Sequence, residues 1–156
     1  MLKNLFKVQK KIQIYSPVNG KCVDLKDVND QMFAEKIMGD GIAFKYNENT
    51  IYSPCKGKIV AVASTKHALG IETEDGIEIL IHVGINTVNA NGKGFTLFSK
   101  KQGDQVKAGD PILKINIKEL KKMYEMPIML IITNTNHRKI EFIKPQQVKR
   151  GQKIIL

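Results

Sequence analysis

YSPVNGKCV at residues 15–23 returns as YSPCKGKIV at residues 52–60. Tyr, Ser and Pro open both copies, Gly-Lys follows at the same offset, and β-branched residues close them. Pro fixes φ at the front of a turn and Gly frees it behind, so each copy reads as a turn feeding a strand. A second pair lies further on, QVKAGDPIL at 105–113 and QVKRGQKII at 147–155. Two turn–strand units, each present twice, predict an all-β fold: an antiparallel β-sandwich or distorted barrel with internal duplication.

Working outward, Gly-Asp and Asp-Gly turns punctuate the chain at Gly39-Asp40-Gly41, Asp75-Gly76, Gly103-Asp104 and Gly109-Asp110. The apolar runs between such turns predict strands over 12–15, 21–25, 42–45, 58–63, 68–73, 77–83, 112–115, 128–133, 138–142 and 153–155. One short helix is expected near 117–124, where Asn116 precedes Ile117, Lys118 and Glu119 in the pattern of a capping box. No linker is long enough to split the chain, so residues 12–156 read as a single domain. Residues 1–11 read as a flexible tail. Leu2, Leu5 and Phe6 among Lys3, Lys7, Lys10 and Lys11 make that tail amphipathic, a candidate for contact with an anionic membrane surface.

The 156 residues carry 25 Lys and Arg against 15 Asp and Glu, a net charge of +10. That excess suits anionic partners or solubility alone. The lysines are dispersed, Trp is absent, and no stacking platform or zinc knuckle occurs, so nucleic acid is not an expected partner. Cys22 and Cys55 lack a Cys-x-x-Cys context and read as small apolar fillers in a reducing compartment. No apolar run spans a bilayer, and the N-terminus has neither the apolar core nor the cleavage site of a secretory signal. The expected location is the cytoplasm, peripheral to the membrane if the tail binds it.

Of three histidines, His82 interrupts the apolar run IEILIHVGINTV at 77–88, and His67 lies shortly before it. A two-residue loop at Asp75-Gly76 sets His82 opposite Leu69 and His67 opposite Gly84. His67, His82, Leu69, Ile71 and Leu80 then share one face, with Ile77, Ile79, Ile81 and Val83 on the other. Thr65 joins the histidine face if the strand stays extended through Lys66. The two imidazoles become diagonal neighbours. Such a pair is compatible with a zinc site, but two ligands are too few without a partner's ligand. No Gly-x-Ser-x-Gly element supports a triad. A neutral imidazole is itself a nucleophile, and a second ring can stabilise a transferred phosphoryl group. Two satisfied half-core histidines fit the same pattern. A lipoyl- or biotinyl-type arm is disfavoured because no Lys stands at a tight hairpin tip in the required context.

SPVNGK, FAEKIMGDGIAF, YSPCKGKI, TKHALGIET, ILIHVGINTV and GDQVKAGDPIL occur together and in order. In these motifs the chain resembles the glucose-type IIA proteins of the bacterial phosphoenolpyruvate-dependent sugar phosphotransferase system, from Tyr15 onward. The resemblance implies a phosphocarrier without a cofactor, in which His82 takes a phosphoryl group from HPr and gives it to a cysteine of a IIB domain. It implies that His67 supports phosphohistidine, that Thr65 hydrogen-bonds His67, and that Phe33, Met38 and Leu80 belong to an apolar docking rim. Asn86 stands beside the site where some members have Asp. Regulatory binding to other proteins is compatible with the same resemblance. The sugar is not legible.

Overall fold

The computed structural model describes residues 10–156, so residues 1–9 of the expected tail lie outside the described residues. Lys10 is held in place: its carbonyl accepts from Arg138 Nη2 at 2.7 Å.

Among the described residues eleven strands form two antiparallel sheets. They are β1 (Gly20–Val23), β2 (Gly41–Tyr46), β3 (Thr50–Tyr52), β4 (Gly57–Val62), β5 (Ala68–Glu72), β6 (Glu78–Val83), β7 (Phe95–Leu97), β8 (Gln105–Val106), β9 (Pro111–Ile115), β10 (Ile128–Asn134) and β11 (Gln146–Val148). The large sheet runs β11-β1-β2-β10-β6-β5-β4-β8, and the small one β3-β9-β7. Ile59, Ile71, Ile79, Ile81 and Leu130 of the large sheet share one buried core with Ile51, Leu113 and Phe95 of the small sheet. Each such side chain contributes roughly 2 kcal/mol by leaving water. The result is the expected all-β sandwich.

The duplication appears hydrogen bond for hydrogen bond. Ser16 Oγ donates to the Val18 carbonyl and Ser53 Oγ to the Cys55 carbonyl, both at 2.7 Å. The Ser16 and Ser53 amides donate to the carbonyls of Gln152 and Asp110, at 2.8 and 2.7 Å. Gly20 pairs with Val148 in one copy and Gly57 with Val106 in the other. The large sheet therefore has a pseudo-twofold between β10 and β6, its central strands. Cys22 and Cys55 are free and buried in the shared core.

Three expectations need correction. Two short α-helices are present: α1 (Gln31–Ala34), not anticipated, and α2 (Ile117–Leu120), which ends before 124. Asp30 caps α1 through Oδ1, accepting from the Met32 amide at 2.9 Å. Four residues offer too little periodicity to read. The run 138–142 forms only an isolated bridge, Phe142 to Ile155, and 12–15 meets 153–155 only through Tyr15 and Lys153. The edge strands β3, β7, β8 and β11 have two or three residues each, too few to show alternation.

The third correction is the register of the β5–β6 hairpin. Ala68 lies opposite His82, Leu69 opposite Ile81 and Ile71 opposite Ile79. The loop has three residues, because the Thr73 amide donates to the Ile77 carbonyl at 2.9 Å and Gly76 follows in the left-handed region at φ +78°. A turn closed by a left-handed glycine is the usual three-residue solution. The one-residue slip moves Leu69 and Ile71 off the histidine face and into the core.

Candidate active site at the histidine pair

His82 belongs to β6, whose Ile79, Ile81 and Val83 are buried while Leu80 and His82 alternate to the outer face, half-buried. In an unbroken strand the corrected register would send His67 inward with Leu69. It does not: β5 begins only at Ala68, so His67 stands outside the strand, next to Lys66, which is left-handed at φ +61° and whose amide closes a turn onto the Ala63 carbonyl at 2.8 Å. Strand alternation does not cross such a residue. Thr65 is therefore not on an extended strand either, yet its Oγ1 lies 2.7 Å from His67 Nδ1. The expected pairing of the rings survives by a different route: their centroids are 4.9 Å apart at 80°, edge to face.

His82 Nδ1 is 3.1 Å from the Gly84 carbonyl. A carbonyl only accepts, so Nδ1 carries the proton and Nε2 keeps its lone pair. Gly84 reaches this position at φ +81°, and a Cβ there would meet Thr87 Cγ2 at 2.3 Å. Thr87 Oγ1 locks the bend by donating to the Val83 carbonyl at 2.5 Å. Asn86 is exposed in the left-handed region at φ +60°, which Asn tolerates well, and its side chain does not cap the following 3-10 turn, Thr87–Ala90.

Burial pushes the His82 pKa down to about 4; the nearby His67 lowers it further, while the Gly84 hydrogen bond and the Asp30 carboxylate oppose both. Burial also lowers the pKa of His67, which is only 8% exposed. Both rings are neutral at pH 7, so Nε2 of His82 is an uncharged nucleophile.

Phe33, expected in the apolar docking rim, is buried, with its ring 4.9 Å from that of His82. It belongs to a second apolar cluster with Leu25, Val28, Ala43, Met129 and Ile131, which covers the outer face of the large sheet. Met38 and Leu80 line a shallow concavity of about 370 Å³ with Ala63, Ala68 and Gly70. The residues missed from sequence are Gly84 and Asp30, which act on His82 through a carbonyl and through a carboxylate charge. The available signals were a glycine two residues after the histidine and an Asp before Gln31-Met32-Phe33. Among the described residues no three His, Cys, Asp or Glu side chains are grouped to hold a metal ion.

The pseudo-twofold explains why there is one pair and not two. The Val83 amide donates to the His67 carbonyl, and the Ile132 amide to the Asp40 carbonyl, both at 2.8 Å. Ala68 faces His82 as Gly41 faces Ile131. Asp40 and Ile131 thus occupy in one half the places of His67 and His82 in the other. Ile131 is sealed beneath the segment around α1, whereas His82 is left open.

This fold and this pair of facing neutral imidazoles define a β-sandwich domain built to present one ring nitrogen. A profile of the phosphoenolpyruvate-dependent sugar phosphotransferase system, EIIA 1, matches residues 12–138. The chain belongs to that family. It is 40% identical over 162 residues to the "PTS system glucose-specific EIIA component" of Oceanobacillus iheyensis, covering all of this chain and 98% of that one. It is also 40% identical over 144 residues to the "PTS system glucose-specific EIICBA component" of Staphylococcus carnosus, covering 92% of this chain but 21% of that longer protein. Among solved structures, the glucose permease IIA from Mycoplasma capricolum superposes with a TM-score of 0.88 at 35% identity, covering 94% of this chain and 96% of that one. Among the described residues no helix is long and apolar enough to cross a membrane.

Proposed function

We propose that this chain is the cytoplasmic phosphocarrier of a glucose-type sugar phosphotransferase system. Nε2 of His82 accepts a phosphoryl group from the phosphohistidine of HPr and passes it to a cysteine of a IIB domain. The observation that carries this reading is the Nδ1–H of His82 held by the Gly84 carbonyl, which leaves Nε2 as the free nucleophile.

As the Nε2–P bond forms, the donor's N–P bond breaks in line, and the donor ring leaves with the electron pair. The His82 ring becomes cationic, and its Nδ1–H bond to the Gly84 carbonyl strengthens. Thr65 donates its hydroxyl proton to Nδ1 of His67, so His67 keeps Nε2–H as a donor to the phosphoryl oxygens. Thr65 is a positioning residue. Donor and acceptor dock on the apolar concavity at Met38 and Leu80, and excluding water there preserves the reactive N–P bond. The relatives' names support glucose, and the fused EIICBA relatives support a IIB domain as acceptor.

The test is incubation with phosphoenolpyruvate, Enzyme I and HPr, followed by intact mass. One phosphoryl group is expected on the native chain and none on His82→Ala. No adduct on the native chain, or an adduct that persists in His82→Ala, overturns the proposal. His67→Ala is expected to accept the group but to donate it to IIB about a hundredfold more slowly, the usual cost of losing one charge-stabilising donor.

A further inference from the structure

Sulfur chemistry divides unevenly over this molecule. Cys22 and Cys55 are 0% and 1% exposed, and burial pushes the Cys55 thiol up to about 12, so neither offers an accessible thiolate. Met126 and Met129 are buried as well. Met32, Met38 and Met123 are exposed, at 47%, 37% and 78%. A thioether needs only access to be oxidised, not deprotonation. Met38 lines the apolar concavity beside the histidines. Met123 lies beyond α2 and lines no part of that concavity.

We propose that Met38 is an oxidation site through which a hydroperoxide weakens phosphoryl transfer. The inference rests on the docking role given to this face above. The thioether sulfur attacks one peroxide oxygen, the O–O bond breaks and an S–O bond forms. Sulfur is oxidised by two electrons, and hydrogen peroxide is reduced to water once the proton on the new S–O group passes to the leaving hydroxide. The sulfoxide places a strong acceptor among Leu80, Ala63, Ala68 and Gly70, where docking must strip its water; the one side-chain donor of that lining, Thr133 Oγ1, already donates to the Glu78 carbonyl at 3.4 Å. The exposed Met38 thioether thus makes the docking concavity oxidisable, and Met123, exposed but away from it, provides an internal control.

The experiment treats the full chain with hydrogen peroxide, locates the added oxygen by peptide mass, and measures single-turnover acceptance from phospho-HPr before and after. Oxygen is expected on Met32, Met38 and Met123 but not on Met126 or Met129. The oxidised native chain is expected to accept about tenfold more slowly, the scale of a damaged interface anchor, and methionine sulfoxide reductase is expected to restore the rate. Each variant is compared with itself: Met123→Leu slows as the native chain does, and Met38→Leu does not slow. An unchanged rate in the oxidised native chain, or equal slowing in Met38→Leu, overturns the inference while leaving the phosphocarrier reading intact. If the untreated chain accepts no phosphoryl group, both readings fall.

Discussion

His82 is neutral because a positive charge there would lack water and would face His67, with only the Gly84 carbonyl and Asp30 in opposition. The folded chain therefore binds a proton at His82 less readily than the unfolded chain, whose imidazole titrates near 6.5. A lowered folded-state pKa favours folding above the unfolded value, and that advantage is lost as pH falls toward about 4. Acidification from pH 6.5 to 4 is expected to cost the native chain roughly 3 kcal/mol more than His82→Gln in denaturant titrations. Equal losses would show that His82 is not depressed. At the neighbouring ring, Thr65→Val keeps the shape and removes the hydroxyl. Phosphoryl donation to IIB is expected to slow about tenfold, near the upper net value of one neutral hydrogen bond, with acceptance on His82 retained. An unchanged donation rate would remove Thr65 from the mechanism.

At the scale of elements, the site depends on bends that local pattern does not announce. Alternation through 77–83 is enough to read His82 and Leu80 as outward and three isoleucines as inward. The partner strand is not readable in the same way, because Asp-Gly serves both two- and three-residue loops, and the choice is made by the Thr73–Ile77 hydrogen bond. His67 is then restored to His82 by left-handed Lys66, a residue type that gives no signal for positive φ. α1 is short enough that its Asp30 cap contributes much of its definition. Asp30→Ala is expected to lower stability by about 1 kcal/mol and to lower the His82 pKa further, since a carboxylate that favours the charged ring is gone. Chemical denaturation and a histidine NMR titration read the two effects separately. A His82 midpoint that rises or stays fixed would contradict the role given to Asp30.

Across the whole molecule, the repeated Tyr-Ser-Pro and Gln-Val-Lys units carried most of the fold, because a turn, its serine hydrogen bond and its edge strand recur as one package in both halves. What those repeats cannot convey is where the halves differ: the segment through α1 covers Ile131 on one side and leaves His82 open on the other. Of the residues expected at a docking rim, Phe33 is buried in the outer apolar cluster, while Met38 and Leu80 line the concavity. The net charge of +10 lies on dispersed lysines, while the concavity is lined mainly by apolar residues. Transfer from HPr is therefore expected to change less than about threefold between 0.05 and 0.5 M salt, because screening acts on charge pairs and not on apolar burial. A tenfold fall would mean that charge, not the concavity, guides docking.

The central claim is that His82 is the histidine that reacts and that the Gly84 carbonyl selects which of its nitrogens does so. Nitrogen-15 and phosphorus-31 NMR of the phosphorylated chain, with labelled histidine, reads this directly. The expected result is a phosphoryl group on Nε2 of His82, with Nδ1 still protonated and hydrogen-bonded. Phosphorus on Nδ1 of His82, or on either nitrogen of His67, would contradict it.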